Sequence, residues 1–192
     1  MSAADTKDES REWLMLLEQA TAGDLAAFEQ LMLRTQHRVF VTARRILGDS
    51  ADAEEATQEV FIRVYKYLYR FDPKKPFEPW LYRLTINVCN DILSHRPPSQ
   101  GGTPQEHHEI ASVEIDPDEL LHLDEQRRML QSALTNLPQK QRAAVVLRDL
   151  QGLSISEVAS VMKVSQATVR SHLSSARLRL KQFIEKRMRR RR

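Results

Sequence analysis

The chain has 192 residues and a formal net charge of +3, and 41% of its residues are hydrophobic. This length suits one large or two small domains, and the apolar fraction is sufficient to bury compact cores, which excludes a disordered chain. No uninterrupted apolar stretch exceeds five residues, which excludes a membrane-spanning segment.

The N-terminus and the cysteine content predict a cytoplasmic protein. Asp5, Asp8, Glu9 and Glu12 dominate the first dozen residues, the opposite of the basic and then apolar start of a secretory signal. A single cysteine, Cys89, closes no intramolecular disulfide and forms no cysteine-rich zinc site. We interpret Cys89 as a packed core residue.

The first half of the chain predicts at least three helices and no strand, so the predicted fold class is all-α. The first helix begins at Gly23-Asp24 and ends at Gly48, and Asp49 or Ser50 caps the second. A loop with three prolines precedes the third, in which Pro79 stands where a first helical residue tolerates proline. The apolar faces at helical spacing are Leu25, Phe28, Leu31, Met32, Val39, Ala43, Ile46 and Leu47; then Val60, Phe61, Val64, Tyr65 and Leu68; then Trp80, Leu81, Leu84, Val88 and Ile92.

Charge divides the chain into three segments. Residues 1–96 contain 13 Lys and Arg against 15 Asp and Glu, residues 97–130 contain 2 against 8, and residues 131–192 contain 14 against 3. A basic C-terminal segment of this kind is the electrostatic footprint of a protein that binds nucleic acid.

A linker is predicted between the acidic and basic parts. Residues 94–119 contain four of the eight prolines and two of the five glycines, and 26 residues of random coil span about 28 Å. His107 and His108 in this acidic stretch are interpreted as solvated rather than as zinc ligands. We therefore predict two small helical domains, 1–96 and 118–192, joined by a flexible acidic linker at 97–117.

Residues 155–174 predict a helix-turn-helix motif. The core positions are Ile155, Val158, Ala159, Met162, Val164, Val169 and Leu173. Ser165 caps the second helix, and Lys163 stands where glycine often relieves a left-handed backbone, a strain of about 1 kcal/mol. The second helix presents side chains that hydrogen-bond bases and phosphates: Gln166, Arg170, Ser171, Ser174 and Arg177. The alternative is an ordinary helical hairpin with a solvated polar face.

Two sets of motifs occur in a fixed order along the chain. The first is Asp52-Ala53-Glu54-Glu55, Gln58-Glu59-Val60-Phe61, Pro79-Trp80-Leu81-Tyr82-Arg83-Leu84 and Asn87. The second is Leu137-Pro138, residues 142–152, Leu153-Ser154, Glu157-Val158-Ala159, Thr168-Val169-Arg170-Ser171 and Ala176-Arg177. In this order and spacing they resemble bacterial extracytoplasmic-function (ECF) sigma factors, the small class of the sigma-70 family with only sigma regions 2 and 4.

The resemblance implies a protein that binds core RNA polymerase, brings it to promoters and opens the DNA, and that is not an enzyme. It implies no catalytic residue, no cofactor and no metal. The implied partners are core RNA polymerase, through its largest-subunit clamp helices and flap, promoter DNA and an anti-sigma factor.

The resemblance also assigns three sets of residues. Polymerase binding falls on Asp52, Glu55, Gln58, Glu59, Phe61 and Arg63. Recognition and melting of the minus-ten element fall on Tyr67, Phe71, Lys74, Lys75, Arg83 and Asn87. Recognition of the minus-thirty-five element falls on Gln166, Thr168, Arg170, Ser171, Ser174, Ser175 and Arg177. Trp80, at helical spacing with Leu81 and Leu84, is interpreted as a core residue rather than a stacking platform.

Two other classes of function remain as alternatives. A self-sufficient helix-turn-helix repressor or activator would use its N-terminal helices to sense a ligand or to dimerise, and would bind a palindrome unaided. An enzyme has little support, because the sequence contains no glycine-rich phosphate loop, no metal-spaced cluster and no Ser/His/Asp arrangement in a plausible context.

Overall fold

The computed structural model describes residues 3–95 and 117–190, which form eight α-helices and contain no strand. The helices are α1 (Ala3–Thr21), α2 (Leu25–Leu47), α3 (Ser50–Tyr67), α4 (Phe77–His95), α5 (Pro117–Thr135), α6 (Gln139–Val145), α7 (Ile155–Met162) and α8 (Gln166–Arg190). The all-α prediction is confirmed. The predicted linker, with His107 and His108, lies outside the described residues except for Pro117.

The ends of α2 follow the capping signals in the sequence. The Asp24 carboxylate accepts hydrogen bonds from the N–H groups of Ala26 and Ala27, and Gly48 ends the helix in a left-handed conformation with φ of 87°. A Cβ atom at Gly48 would also lie 2.8 Å from Cγ2 of Thr135, so α5 approaches this turn too closely for a side chain. Asp49 caps α3 by accepting from the Asp52 N–H.

Helices α1 to α4 pack around one apolar core. Leu31, Val39, Val60, Val64 and Leu81 are almost completely buried there, as the spacing predicts. Helix α1, for which the sequence analysis assigned no periodicity, covers this core. Its Leu17 is buried and its Trp13 ring meets Phe77 edge-on at 5.8 Å.

Two residues at the margins of the predicted apolar faces are exposed in the structure rather than buried. Leu25 is 64% exposed and Tyr65 is 61% exposed, so neither is a core residue. Leu25 is the first residue of α2, and Tyr65 lies at the rim, where its ring meets only the edge of Phe28 at 5.3 Å. The apolar stripe in the sequence is therefore wider than the face that the neighbouring helices cover.

Helices α5 to α8 form the second half of the structure. This half packs directly against the first half, which consists of α1 to α4. Residues 146–150 continue α6 as a π-helical turn, closed by the Gln151 N–H donating to the Val146 carbonyl at 3.0 Å. Helix α7 packs on α4, and α5 packs on α2. Helix α4 begins at Phe77, and Pro79 is tolerated as its third residue because the first N–H groups of a helix have no intrahelical partner.

Candidate nucleic-acid interface

The turn between α7 and α8 has the geometry that the sequence predicts for a helix-turn-helix. Ser154 and Glu157 form a reciprocal capping box at the start of α7. Lys163 ends α7 in the left-handed conformation, with φ of 54° and ψ of 45°. The Ser165 hydroxyl then accepts from the Thr168 N–H at 3.1 Å and caps α8. Val158, Val169 and Leu173 are buried, so the two helices are held at a fixed angle by a shared core.

The exposed face of α8 contains most of the residues predicted to contact the minus-thirty-five element. Gln166, Arg170 and Ser174 recur every four residues and therefore lie along one face; Ser171 and Ser175 lie beside them, and all five are exposed. Thr168 differs, because it is half-buried and its hydroxyl hydrogen-bonds the Ser165 hydroxyl at 2.8 Å. Its observed contact is with the cap of α8.

Arg177 is held in place by an ion pair that the sequence analysis missed. Its Nη2 donates to Oδ1 of Asp149 at 2.8 Å, and this hydrogen bond and the Asp149 charge raise the pKa of Arg177. Asp149 lies in the π-helical turn after α6. The ion pair therefore connects α8 to this turn. No local pattern pairs these residues, because they are 28 positions apart.

The residues predicted for the minus-ten element lie at the end of α3, in the loop after it and on α4. Asn87 is exposed on α4, and Tyr67 is 36% exposed at the end of α3. Lys74 and Lys75 are exposed in the loop. Asp72 closes this loop by accepting from the Lys74 N–H at 3.0 Å through its side chain and from the Lys75 N–H at 2.9 Å through its carbonyl.

Phe71 lies beneath this surface rather than on it. It is only 7% exposed, and its ring is 5.5 Å from Phe77 and 5.1 Å from Trp80, centroid to centroid. Trp80 packs against the core in the same cluster, where the sequence interpretation placed it. Phe71 therefore supports the loop from below, and its ring reaches a base only if the loop rearranges.

Arg83 connects the two halves. Its Nη2 donates to both the carbonyl and the hydroxyl of Ser160 on α7, each at 3.0 Å. Beside it the Tyr82 hydroxyl donates to Oε1 of Gln151 at 2.9 Å, and Nε2 of Gln151 donates to Oγ1 of Thr42, also at 2.9 Å. A residue predicted to act at the minus-ten element is thus hydrogen-bonded to the other half of the chain.

The residues predicted to bind polymerase line one side of a groove of about 530 Å³ between α3 and α4, where Asp52, Glu55, Gln58, Glu59 and Arg63 all contribute. Arg63 is fixed there by Glu59 at 2.7 Å and by Asp91 of α4 at 3.0 Å.

The groove between α3 and α4 also contains an apolar side chain that the sequence analysis missed. Ile62 lines the groove and is 60% exposed. Phe61, predicted in the polymerase-binding set, is only 8% exposed and packs in the core. The groove also has Val88 and the half-buried Ile92 of α4 in its lining, so it offers apolar contacts among charged groups. Phe61 supports the helix that carries the charged groups of α3.

Cys89 and the described acidic and histidine side chains form no metal centre. Cys89 is completely buried, and burial raises the pKa of its thiol to about 12. Within residues 3–95 and 117–190, no three His, Cys, Asp or Glu side chains lie close enough to hold a metal ion. Across the same ranges, none of the helices combines the length and apolarity needed to cross a membrane.

Comparisons with known proteins agree with this architecture. Residues 31–96 match the family model for sigma-70 region 2, and residues 127–180 match the model for sigma-70, region 4. The chain is 34% identical over 168 residues to the ECF RNA polymerase sigma factor SigE of Mycolicibacterium smegmatis, covering 85% of this chain and 65% of that protein. It is 34% identical over 171 residues to the ECF RNA polymerase sigma-E factor of Escherichia coli, covering 85% of this chain and 89% of that protein.

A solved structure shows the same fold. The sigma factor RpoE of Bartonella quintana, in complex with the anti-sigma factor NepR, superposes with a TM-score of 0.65 and 21% identity, covering 82% of this chain and 96% of that chain.

The matched regions and the fold define the class of this protein: it is a sigma factor of the sigma-70 family. Within that family the chain belongs to the ECF group, as the E. coli relative shows by its identity and coverage. Sigma factors direct RNA polymerase to promoters and are initiation factors rather than enzymes. The predictions of family, fold class and non-enzymatic function are confirmed.

Proposed function

We propose that this chain binds core RNA polymerase through the α3–α4 groove, recognises and melts the minus-ten element with its N-terminal half, and reads the minus-thirty-five element with α8. The domain boundaries of this proposal are 1–96 and 118–192, with a linker at 97–117. The observation that carries the proposal is the exposed, donor-rich face of α8 on a fixed helix-turn-helix, in a chain whose other half matches sigma-70 region 2.

The α3–α4 groove suits a partner helix that carries charge of both signs. Glu55 and Gln58 are exposed, while Arg63 is held between two carboxylates and presents a fixed geometry. Charged rims of this kind set orientation and association rate more than affinity. Ile62, 60% exposed, and Ile92 of α4 supply apolar contacts that add affinity once the charges have oriented the partner.

The minus-ten surface combines an amide, an aromatic ring and cations. An exposed amide such as that of Asn87 can hydrogen-bond the Watson–Crick edge of an unstacked base, an exposed ring such as that of Tyr67 can stack on it, and Lys74 and Lys75 can neutralise phosphates. Arg83 joins this set only when its hydrogen bonds to Ser160 are broken.

The minus-thirty-five surface suits the major groove of duplex DNA. An α-helix fits that groove, and arginine, glutamine and serine hydrogen-bond the exposed edges of bases there. Arg170 is the strongest candidate for base contact, since its guanidinium is exposed and its hydrogen bond to Gln166, at 3.4 Å, is long. Arg177, fixed by Asp149, is better placed to hold a phosphate.

Two further elements complete the proposal. We place the protein in the cytoplasm, where polymerase and chromosomal DNA are found. We also propose an anti-sigma factor as a regulatory partner, which the complex of B. quintana RpoE with NepR supports through the shared fold. Such a partner would inhibit by covering the α3–α4 groove or by holding the two halves together.

The test is transcription in vitro from a genomic fragment library with core polymerase, with and without this protein. We expect new transcripts that start downstream of a shared pair of sequence elements, and only weak binding of the same DNA by the protein alone. If the protein instead binds a palindrome tightly without polymerase and leaves the start sites unchanged, it is a helix-turn-helix regulator and the proposal is wrong.

A further inference from the structure

Helix α8 continues beyond the part that packs in the helix-turn-helix. It has 25 residues and is therefore about 37 Å long. Its apolar stripe is buried or half-buried from Val169 to Phe183, and the next residue, Ile184, is 44% exposed. Residues 184–190, called the basic extension below, follow this stripe and lie beyond residues 127–180, which match sigma-70 region 4. The region 4 match therefore does not account for them.

The basic extension is more densely charged than the rest of the helix. Residues 184–192 contain six Lys and Arg and one Glu, whereas residues 166–183 contain four Lys and Arg. The one carboxylate, Glu185, lies 3.9 Å from Nζ of Lys181. Lys186, Arg187 and Arg189 are exposed. Because successive helical residues are turned by about 100°, these three cations point in different directions around the helix.

The helix itself does not require this many cations. Basic side chains near the end of a helix interact favourably with its dipole, but the effect falls off within the last turn. Like charges three or four positions apart, such as Lys186 and Arg189, repel each other and destabilise the helix. A bound polyanion would remove this repulsion, so the charge pattern fits a partner better than it fits the fold.

Duplex DNA is the polyanion that the position of the basic extension favours. Helix α8 is the helix proposed to enter the major groove at the minus-thirty-five element. That groove is about 12 Å wide, and residues 166–177 already span about 18 Å. The following turns of α8 therefore reach past the base edges toward the phosphate backbone. In homeodomains, too, the later part of the recognition helix contacts the backbone.

We propose that Lys186, Arg187 and Arg189 bind phosphates of the duplex that flanks the minus-thirty-five element. They add affinity that does not depend on the base sequence, because a phosphate contact carries no sequence information directly. This inference rests on the proposed function, since α8 must lie in the groove at the minus-thirty-five element for the basic extension to reach these phosphates.

The first experiment measures the affinity of the complex with core polymerase for one promoter fragment at salt concentrations from about 50 to 200 mM. The loss of three phosphate contacts lowers the slope of log affinity against log salt by about 2.7. Over this range the triple variant Lys186→Gln, Arg187→Gln, Arg189→Gln should therefore lose about fortyfold less affinity than wild type does. The change in slope should be the same on a promoter with an altered minus-thirty-five element.

A second triple variant is the matched control for charge. Arg11→Gln, Arg34→Gln and Arg44→Gln together remove three exposed cations from α1 and α2, so the net charge changes by the same amount. This variant should keep the wild-type slope. Circular dichroism of both variants checks that the helices are intact.

The second experiment locates the basic extension on the DNA. Cys89, the single cysteine of the chain, is completely buried, so Gln182→Cys at an exposed position just before the extension provides one accessible thiol. An iron chelate attached to this thiol generates hydroxyl radicals that cut nearby DNA. We expect cuts in the backbone beside the minus-thirty-five element.

Each outcome decides the inference. A wild-type slope in the first triple variant, an equal drop in the control, or cuts only elsewhere on the fragment overturns it. Reduced binding of the first triple variant to core polymerase alone assigns the basic extension to a protein contact and also overturns it. If wild-type protein directs no transcription, the proposed function itself fails, whereas active wild type with an unchanged slope in the variant removes this inference alone.

Discussion

Arg170 and Arg177 lie on the same helix but have different surroundings, which determine what each can do. The guanidinium of Arg170 has a single long hydrogen bond, at 3.4 Å to Gln166, so it can reorient toward a base edge without breaking a strong interaction. Arg177 is bonded twice to Asp149, at 2.8 and 3.3 Å. An exposed arginine with only a long hydrogen bond is better suited to contact a base, and an arginine fixed by an ion pair is better suited to hold a phosphate.

We expect Arg170→Ala to weaken initiation at promoters that depend on the upstream element by about 1–3 kcal/mol, because it removes a contact to a base. The measurement is transcript yield against protein concentration on promoters with and without that element. Lys181→Ala is the control, since it removes one positive charge from the same helix at a residue that pairs with Glu185. Equal output from wild type and Arg170→Ala would remove Arg170 from the set that reads DNA.

We expect Asn87→Ala to bind core polymerase normally and to open the promoter more slowly, because the exposed amide contacts a base only after that base leaves the stack. Permanganate reactivity of unpaired thymines reports the opening, and gel filtration with core polymerase reports the binding. Gln36→Ala serves as control, because it removes an exposed amide from α2. A normal bubble in Asn87→Ala would contradict the assignment.

At the scale of the element, α7 depends on its ends because it has only eight residues. Isolated helices of this length are not stable in water. The capping box satisfies two N–H groups at its start, with Ser154 N–H to Oε2 of Glu157 at 2.7 Å and Glu157 N–H to Oγ of Ser154 at 3.2 Å. The stability of α7, which packs against α8, therefore depends on Ser154 and Glu157.

We expect Ser154→Ala to lower the free energy of unfolding by about 1 kcal/mol, as is typical for loss of an N-cap side chain. Urea unfolding followed by circular dichroism measures the change, and Ser174→Ala, at an exposed serine within α8, is the control and should not lower the free energy of unfolding.

The same capping box predicts a pH dependence. Hydrogen bonds from the Ser154 side chain and then its backbone N–H lower the pKa of Glu157 in the folded protein. The ionised Glu157 carboxylate therefore stabilises the folded protein above the unfolded carboxyl pKa of about 4.3. This stabilisation is lost as the pH falls through the lower folded pKa of Glu157. Glu157→Gln should remove this part of the acid destabilisation, and an identical pH profile for Glu157→Gln and wild type would contradict the prediction.

We expect Lys163→Gly to stabilise the protein by about 0.5–1 kcal/mol. A side chain in the left-handed region costs about 1–2 kcal/mol, and Lys163 has φ of 54°. Glycine relieves that strain, but it also lowers the free energy of unfolding by about 0.4–1 kcal/mol, because the unfolded chain gains conformational entropy. The relief of strain is the larger effect, so the net change is stabilising. Thermal unfolding measures the result, and a lower melting temperature for Lys163→Gly would show that Lys163 is not strained.

At the scale of the whole molecule, the packed arrangement of the two halves does not match promoter binding. Elements at minus ten and minus thirty-five lie about 85 Å apart on straight B-DNA, at 3.4 Å per base pair. A compact chain of 192 residues has a radius of gyration of about 16 Å, too small to reach both. The proposed phosphate contact of Arg83 would also compete with its hydrogen bonds to Ser160, so we expect the halves to separate when the promoter is bound.

We expect Gln151→Ala to favour the separated form, because it removes two hydrogen bonds between the halves, to Tyr82 and to Thr42. Their loss is worth about 1–3 kcal/mol, which shifts the equilibrium by about five- to 150-fold. Small-angle scattering should show a larger radius of gyration, while Gln182→Ala, an exposed glutamine on α8, leaves it unchanged. Equal radii for wild type and Gln151→Ala would show that Gln151 does not hold the halves together.

Much of this structure can be predicted from the sequence because it depends on local interactions. The all-α class, the caps at Asp24, Asp49 and Ser165 and the stop at Gly48 follow from hydrogen bonds and apolar spacings within a few residues. The helix-turn-helix, including the left-handed Lys163, follows for the same reason. The motif order then identified the ECF family without any tertiary information.

The tertiary structure decided which side chains remain available. Arg83 and Ser160 are 77 positions apart, and Asp149 and Arg177 are 28 apart, so no pattern within one helix pairs them. The same is true of burial: Phe71 is enclosed by Phe77 and Trp80 while Tyr69, two residues earlier, is exposed. Helical periodicity fixes the direction of a side chain on its own helix, but only the packing of the other helices determines whether that direction ends in the core or in solvent.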